Sequence, residues 1–309
     1  MTPVILFCYN NSMNYQKYLD NKVKSLKGMR ILITGANSGI GFSFAKQASY
    51  KGASIVMACR NEERANKAIK AIKEEIKEAD LSFIKYDQSS FESIRNFVSS
   101  IEKEKFDVVT LNAGIFKPGR DLKTADGFPL TTGTNYLGMF YLLKLLEKKI
   151  KNKDIKKIII VSSFGRWFAP RNHLSYLKDD KNKLWKSYFS SKRMNFEIAG
   201  NLKYKYPELV VSIVHPGIAV TRIVNNELGR FPRLISKFGE VLMRTFSNTS
   251  DKSALCFLKD LTEPEIKDIN HVYPRGLIHT SGYPSKKILK ANKIKSDLLE
   301  ATSNSLIKD

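Results

Sequence analysis

Tyr188 and Lys192 are the side chains of this sequence whose types and spacing best suit the transfer of a proton. Two residues four positions apart on a helix lie on the same face, one turn from each other. A phenol has a pKa of about 10 and is therefore a weak base at neutral pH. A lysine ammonium one turn away stabilises the phenolate and can also hold a ribose. Because Tyr-x-x-x-Lys often occurs by chance, its meaning depends on the surrounding motifs.

Ser163 and Asn135 are the polar residues expected to complete a site around this pair. Ser163 follows the apolar run at 157–162, which predicts a strand. Its hydroxyl can hydrogen-bond a substrate oxygen as that oxygen gains charge. Asn135 lies in a predicted helix, where the low helix propensity of asparagine calls for a reason.

A glycine-rich turn follows the first predicted strand, and it reads Thr34-Gly35-Ala36-Asn37-Ser38-Gly39-Ile40-Gly41. Gly35 permits the tight turn, Gly39 lets backbone approach a pyrophosphate, and Gly41 allows close packing of helix on strand. The N-terminus of the helix that follows offers free N–H groups to phosphate. This context predicts a dinucleotide site. A second small-residue turn, after the fourth predicted strand, is expected to support the cofactor, and it consists of Asn112, Ala113 and Gly114.

Arg60 stands where the second predicted strand ends, at the position that reads the adenosine ribose. A site for NAD usually has a carboxylate there. Here no acid occurs before Glu62, and Arg60 can offer a planar set of donors to a 2′-phosphate. This favours NADP(H). The alternative is a surface ion pair between Arg60 and Glu62 or Glu63.

Strand and helix patterns alternate along the chain, which predicts a single-domain α/β fold with a doubly wound parallel sheet and helices on both faces. Six strands are predicted, and they lie at 30–34, 54–59, 81–86, 106–111, 157–162 and 210–214. Helices are predicted at 41–50, 62–77, 91–103, 135–149 and 187–206. The expected division is an N-terminal extension at 1–27, a cofactor-binding domain at 28–283 and a C-terminal tail at 284–309.

Composition limits the classes of protein to which the chain can belong. Its 309 residues carry a net charge of +22, but the basic residues are scattered along helices, so we expect a lysine-rich surface and no specific nucleic-acid partner. An anionic membrane surface would still be attracted. The three cysteines and four histidines have no metal-site spacing, so no metal is predicted. No signal peptide is recognisable, and we expect a cytoplasmic protein.

Together these motifs resemble the short-chain dehydrogenase/reductase family over about residues 27 to 262. The resemblance implies a catalytic tetrad of Asn135, Ser163, Tyr188 and Lys192, in which Asn135 holds a water that connects Lys192 to solvent. It also implies that Asp87 contacts the adenine. For Asp87 the alternative is an N-cap of the helix at 91–103.

Several stretches are similar to the retinol dehydrogenase-related branch of that family, among them His215-Pro216-Gly217. In that pattern Pro216 and Gly217 turn the chain past the nicotinamide, with Ile218 and Thr221 near its carboxamide. The resemblance implies an NADP(H)-dependent oxidoreductase. Aromatic residues at 164–185, and an apolar and basic segment at 221–246 interpreted as a substrate lid, favour an apolar carbonyl or alcohol substrate.

The sequence leaves two alternative functions open. The first is a catalytically silent NADP(H)-binding or redox-sensing protein on the same fold. The second is a sugar-nucleotide epimerase or dehydratase, against which the spacing of Gly35, Gly39 and Gly41 argues. The segment 221–246 has two alternatives, a helix packed on the domain and a contact with an anionic membrane. A homodimer is left open.

Overall fold

One eight-stranded sheet forms the centre of the protein, with strand order β3-β2-β1-β4-β5-β6-β7-β8. The computed structural model describes residues 15–116, 122–179, 183–217, 248–264, 266–276 and 279–307. Neighbouring strands run parallel except for β8, which is antiparallel to β7. The strands are β1 (Arg30–Thr34), β2 (Ser54–Cys59), β3 (Leu81–Lys85), β4 (Phe106–Leu111), β5 (Ile155–Val161), β6 (Val210–Val214), β7 (Ile269–Pro274) and β8 (Pro284–Leu289).

Helices cover both faces of the sheet, so the predicted fold class is confirmed. They are α1 (Gly39–Tyr50), α2 (Glu62–Glu75), α3 (Phe91–Ser100), α4 (Gly138–Leu145), α5 (Glu147–Lys151), α6 (Leu184–Lys205), α7 (Ser250–Thr262) and α8 (Asp297–Leu306). One hydrophobic core joins the sheet to α1, α2 and α7. The other joins it to α3, α4, α6 and α8. Both faces of the central strands are therefore buried, which explains their continuous apolar runs.

β7 and β8 were not among the six strands predicted from the sequence. β7 carries Asn270 and His271, two polar residues that are buried in the folded protein. β8 contains two lysines and is largely accessible. Neither strand has the continuous apolar run by which a buried strand is recognised in a sequence. Their places in the sheet are fixed by pairing with neighbours, β7 with β6 and β8 with β7, which the local sequence does not show.

The segments on either side of residues 28–283 pack against this domain in their described parts. Residues 15–22 are helical, and Leu19 and Val23 are buried in the core that contains α1. At the other end, Ser303 of α8 forms a hydrogen bond of 2.8 Å with the Tyr136 hydroxyl. The limits at 28 and 283 stay a prediction. In the described ranges, no helix is long and apolar enough to cross a membrane.

Candidate active site

The glycine turn between β1 and α1 is shaped to receive an anion. Gly35 has a φ of +69°, a conformation that favours glycine, and its N–H donates to Ala58 across the sheet edge at 2.8 Å. α1 begins at Gly39, and the side chain of its N-cap residue, Ser38, forms no capping hydrogen bond. The first turn carries no acidic residue. The N–H groups at this helix end are thus available to a phosphate.

Asn112 braces this turn from the neighbouring strand. Its Nδ2 donates to the carbonyl oxygens of Thr34 at 2.9 Å and Gly35 at 3.1 Å. The Thr34 hydroxyl in turn accepts from the backbone N–H groups of Asn112 and Ala113. A Cβ atom on Gly41 would lie 2.4 Å from the Gly35 carbonyl oxygen, so close packing requires glycine there. The two predicted cofactor turns therefore form one hydrogen-bonded unit.

Arg60 and Asp87 lie together beyond the ends of β2 and β3. Their closest charged atoms, Nη1 and Oδ2, are 3.8 Å apart. Asp87 Oδ1 accepts from the backbone and side chain of Ser89, and Ser90 is the N-cap residue of α3. Asp87 is therefore not the N-cap residue of α3, which was the alternative role. Arg60 remains exposed, and both side chains face solvent where an adenosine ribose is expected.

Tyr188 and Lys192 lie on α6 as their spacing predicts, with Lys192 Nζ 5.8 Å from the centre of the Tyr188 ring. Lys192 is buried, and its Nζ donates to the Val161 carbonyl at 3.3 Å. Burial lowers the pKa of Lys192 to about 8. Removal of water from its hydroxyl raises the pKa of Tyr188, while a hydrogen bond with Ser163 acts in the opposite direction. Ser163, Tyr188 and Lys192 therefore meet at one site.

Asn135 has a structural reason for its place in a helix. It lies in a π-helical turn (Gly133–Leu137) that leads into α4. Its amide accepts from Ile115 N–H at 2.7 Å and donates to Ile115 C=O at 2.8 Å. It also donates to the Ser191 hydroxyl at 3.3 Å. Asn135 thus joins the chain after β4 to α6, beside Lys192.

The surface above Lys192 stays open because residue 114 is a glycine. A Cβ atom there would lie 3.3 Å from Asn135 Oδ1 and 3.6 Å from Lys192 Nζ. Gly114 is itself exposed. A flat ring and its ribose fit over such a surface, and the glycine turn at the same sheet edge fits the attached phosphates. The residues present therefore suit a nicotinamide dinucleotide.

Gln88 is a residue of this site that the sequence analysis did not single out. Its Nε2 donates to the carbonyl oxygens of Ala113 at 3.1 Å and Thr134 at 2.7 Å. It accepts from the Tyr86 hydroxyl at 3.0 Å. Gln88 thereby connects the turn after β4 to the π-helical turn. No local pattern marks this role, since its partners are far apart in sequence.

The turn after β6 lies at the same sheet edge. Pro216 is buried, and a Cβ atom on Gly217 would lie 2.5 Å from the Thr280 carbonyl oxygen. Ile218, Thr221 and the predicted lid at 221–246 lie outside the described residues. The opposing aromatic wall is described. Trp185 packs 4.5 Å from Phe116, which lies edge-on to Tyr188 at 5.2 Å.

Comparisons with known proteins agree with this geometry. The sequence matches the short chain dehydrogenase family over residues 29–228. The WW domain-containing oxidoreductase of Gallus gallus is 30% identical over 262 residues, which are 81% of this chain and 62% of that protein. Human retinol dehydrogenase 14 is 28% identical, over 80% of this chain and 78% of that protein. The chain thus spans less than two thirds of the length of the first of these relatives.

Solved structures share the fold at lower sequence identity. A protein of Mycobacterium paratuberculosis superposes with a TM-score of 0.68 at 22% identity, covering 92% of this chain and 95% of that chain. Levodione reductase superposes with a TM-score of 0.59 at 19% identity, covering 74% and 88%. The matched family consists of oxidoreductases that use nicotinamide cofactors, and it includes retinol dehydrogenase-related members. The chain belongs to the short chain dehydrogenase family.

Proposed function

We propose that the protein is an NADP(H)-dependent oxidoreductase that reduces an apolar aldehyde or ketone, with Tyr188 as the proton donor. The observation that carries this proposal is that Ser163, Tyr188 and Lys192 meet at one site, with Lys192 Nζ 5.8 Å from the centre of the Tyr188 ring. Burial raises the pKa of Tyr188, and the phenol keeps its proton at neutral pH. A protonated phenol beside a serine hydroxyl suits the donation of a proton to an oxygen that gains charge.

In the proposed reaction Ser163 and Tyr188 bind the substrate oxygen. The bound reduced cofactor supplies the hydride for the carbonyl carbon. As the C=O double bond becomes single, the Tyr188 proton moves to the oxygen and leaves a phenolate. Lys192, close to the Tyr188 ring and carrying a proton with a pKa of about 8, stabilises that phenolate. Asn135 is then a positioning residue that holds a path for a proton from solvent.

NADP(H) is proposed as the cofactor because of the charge at the ribose position. The glycine turn and the free N–H groups of α1 would hold the pyrophosphate. Arg60 is exposed, and among the described residues its ion pair is the 3.8 Å contact with Asp87. A 2′-phosphate would offer Arg60 a stronger, charge-assisted partner, and Asp87 would then turn to the adenine. Pro216, Gly217, Ile218 and Thr221 are proposed to contact the nicotinamide end.

An apolar substrate is supported by the aromatic side chains around Tyr188. Trp167, Phe168 and Trp185 are large hydrophobic residues that remain exposed. Phe168 and Trp185 both pack on Phe189, the neighbour of Tyr188, at 5.7 Å. Exposed aromatic surface beside a polar centre is typical of binding sites for apolar ligands. We further propose a cytoplasmic protein and leave peripheral membrane contact and a homodimer open.

Oxidation of NADPH by the purified protein tests this function directly. The panel comprises aldehydes and ketones of increasing apolar size, and the loss of NADPH absorbance is the readout. We expect turnover of at least one bulky apolar carbonyl compound and faster turnover with NADPH than with NADH. NADPH binding without turnover of any compound would instead favour the silent or redox-sensing protein.

A further inference from the structure

Arg166 is a buried cation with no counter-charge among the described residues. It lies in the 3₁₀ turn Phe164–Phe168, directly after Ser163, and is 5% exposed. Its Nη1 donates no hydrogen bond to any residue of the described ranges. The guanidinium packs 4.2 Å from the centre of the Phe196 ring and 4.7 Å from that of Trp167. Burial and the charge of Arg193 lower the pKa of Arg166 to about 10, so it remains charged at neutral pH.

Two imidazoles with unpaired nitrogens lie near this guanidinium. His271 pairs in register with Ile213, and His215 lies two residues beyond Ile213, so both side chains lie on the sheet face that α6 covers. Nε2 of each ring is buried and has no hydrogen-bond partner among the described residues. Burial, followed by the charge of Arg166, lowers the pKa of His215 to about 3 and that of His271 to about 2. Both rings are therefore neutral and retain one N–H.

The other side chains that act electrostatically on these three residues are also basic, and the His279 backbone acts on the pKa of His215 in the opposite direction. Lys192 and His279 act on His215, and Lys287 and His279 act on His271. Glu197 on α6 is committed elsewhere, to His173 at 3.0 Å and Arg193 at 2.5 Å. In the part of the chain that the structure describes, no carboxylate pairs with Arg166. A buried, unpaired cation is destabilising unless an anion joins it.

This cluster adjoins the proton-transfer site. Arg166 follows Ser163 by three residues, and its N–H donates to the Ser163 carbonyl at 3.2 Å. Phe196, against which Arg166 stacks, lies one helical turn beyond Lys192. The ring of His215 stacks on Phe164 with centres 6.5 Å apart.

We propose that Arg166, His215 and His271 form a binding site for an oxyanion, either a carboxylate of the substrate or a free carboxylate or phosphate ion. Arg166 supplies the charge and a donor fork that matches two oxygens, and the two imidazoles supply further N–H donors. The anion removes the penalty of the buried charge and occupies the unpaired nitrogens. The substrate form of this proposal rests on the proposed reductase function, and the free-ion form does not.

Thermal unfolding of the cofactor-free protein tests the site without any catalytic readout. Sodium acetate and sodium phosphate are titrated against the wild type, Arg166→Met, His271→Leu and the control Arg171→Met. Arg171 is exposed in the same loop, so this control loses the same charge. We expect a saturable rise of the unfolding midpoint in the wild type and control. The rise should be absent in Arg166→Met, which should also be more stable than the wild type when these anions are absent.

Turnover of matched substrates then identifies the source of the oxyanion. 4-Carboxybenzaldehyde and its methyl ester differ in the charge of one group. If the substrate supplies the anion, KM for the acid should be lower than for the ester by roughly tenfold, the effect of one charge-assisted hydrogen bond. Arg166→Met should abolish that preference, so that KM is the same for the acid and for the ester.

The outcomes separate the two proposals. Saturable stabilisation without a preference for the acid supports the site and assigns it to a free ion. Absence of turnover with stabilisation intact contradicts the reductase function alone. Equal responses of the wild type and Arg166→Met to both anions, with no acid preference in the wild type, would overturn the site.

Discussion

The two ends of the candidate site differ in the interactions that form each of them. At the proposed nucleotide end, the Asn112 amide donates neutral hydrogen bonds to the backbone carbonyls of Thr34 and Gly35. At the proposed proton-transfer end, ionisable side chains such as Lys192 and Arg166 are buried within the protein. A neutral hydrogen bond with both partners present is stabilising, whereas a buried charge is destabilising unless it is paired. The nucleotide end thus has a backbone conformation fixed by neutral hydrogen bonds, whereas the proton-transfer end has buried ionisable groups whose pKa values are shifted.

Replacement of Tyr188 by phenylalanine should have the largest effect and should be confined to the proton-transfer end. Loss of the phenol removes the proton donor, so kcat should fall by about 10²- to 10⁴-fold. NADPH affinity, measured by fluorescence titration, should change only a few-fold. Tyr204→Phe is the matched control, because Tyr204 is an exposed residue of the same helix. Retention of most activity by Tyr188→Phe would contradict the assignment.

The buried charge of Lys192 should make its contribution to stability depend on pH. The folded protein holds this proton more weakly than the unfolded chain, because burial lowers the pKa from 10.5 to about 8. The charge is therefore fully destabilising below pH 8, and the penalty disappears as the pH rises toward 10.5. Relative to Lys192→Met, the cofactor-free wild type should gain up to about 3 kcal/mol in free energy of unfolding over that range.

Denaturant unfolding of both proteins at several pH values measures this gain. The difference between them removes the effects of groups that they share. A difference that stays constant from pH 7 to 10 would show that the folded protein and the unfolded chain bind the Lys192 proton equally, so that burial does not lower its pKa. Lys192 would then not be a destabilising buried charge, and the two ends of the site would not differ in this respect.

Asn112→Ala should damage the nucleotide end while the proton-transfer chemistry survives. The substitution leaves the carbonyls of Thr34 and Gly35 without their amide donor, at a cost of about 1–3 kcal/mol. NADPH affinity should fall, and kcat at saturating NADPH should change little. Asn152→Ala, on the exposed surface, serves as control. A larger loss in kcat than in NADPH affinity would mean that the two ends are not separable.

Arg60→Asp should have the smallest effect and should alter cofactor choice alone. The wild type is expected to bind NADPH more tightly than NADH by roughly tenfold, the effect of one charge-assisted contact. The substitution should reverse this order, because a carboxylate repels the 2′-phosphate and accepts from the 2′-hydroxyl. Arg64→Asp makes the same change of charge nearby. Equal affinity of the wild type for both cofactors would contradict the role of Arg60.

Elements with strong local patterns were predictable from the sequence. β1, β2, β4 and β6 begin and end at the predicted residues, because a strand buried on both faces must be apolar throughout. The position of the glycine turn before α1 was likewise predictable, since glycines at 35, 39 and 41 mark it in the sequence, whereas its brace by Asn112 was not. The approach of Tyr188 and Lys192 followed from helix geometry.

Contacts between distant parts of the chain were decided by the tertiary structure alone. The strand that carries His271 has no apolar pattern, and its place in the sheet depends on β6 and β8. Gln88 braces two turns that are remote from it in sequence. The burial of Arg166, with no counter-charge among the described residues, arises only when α6 packs over β6 and β7. Spacing along the chain determines which residues share a helix face or a turn, whereas burial and hydrogen-bond partners depend on where the elements pack.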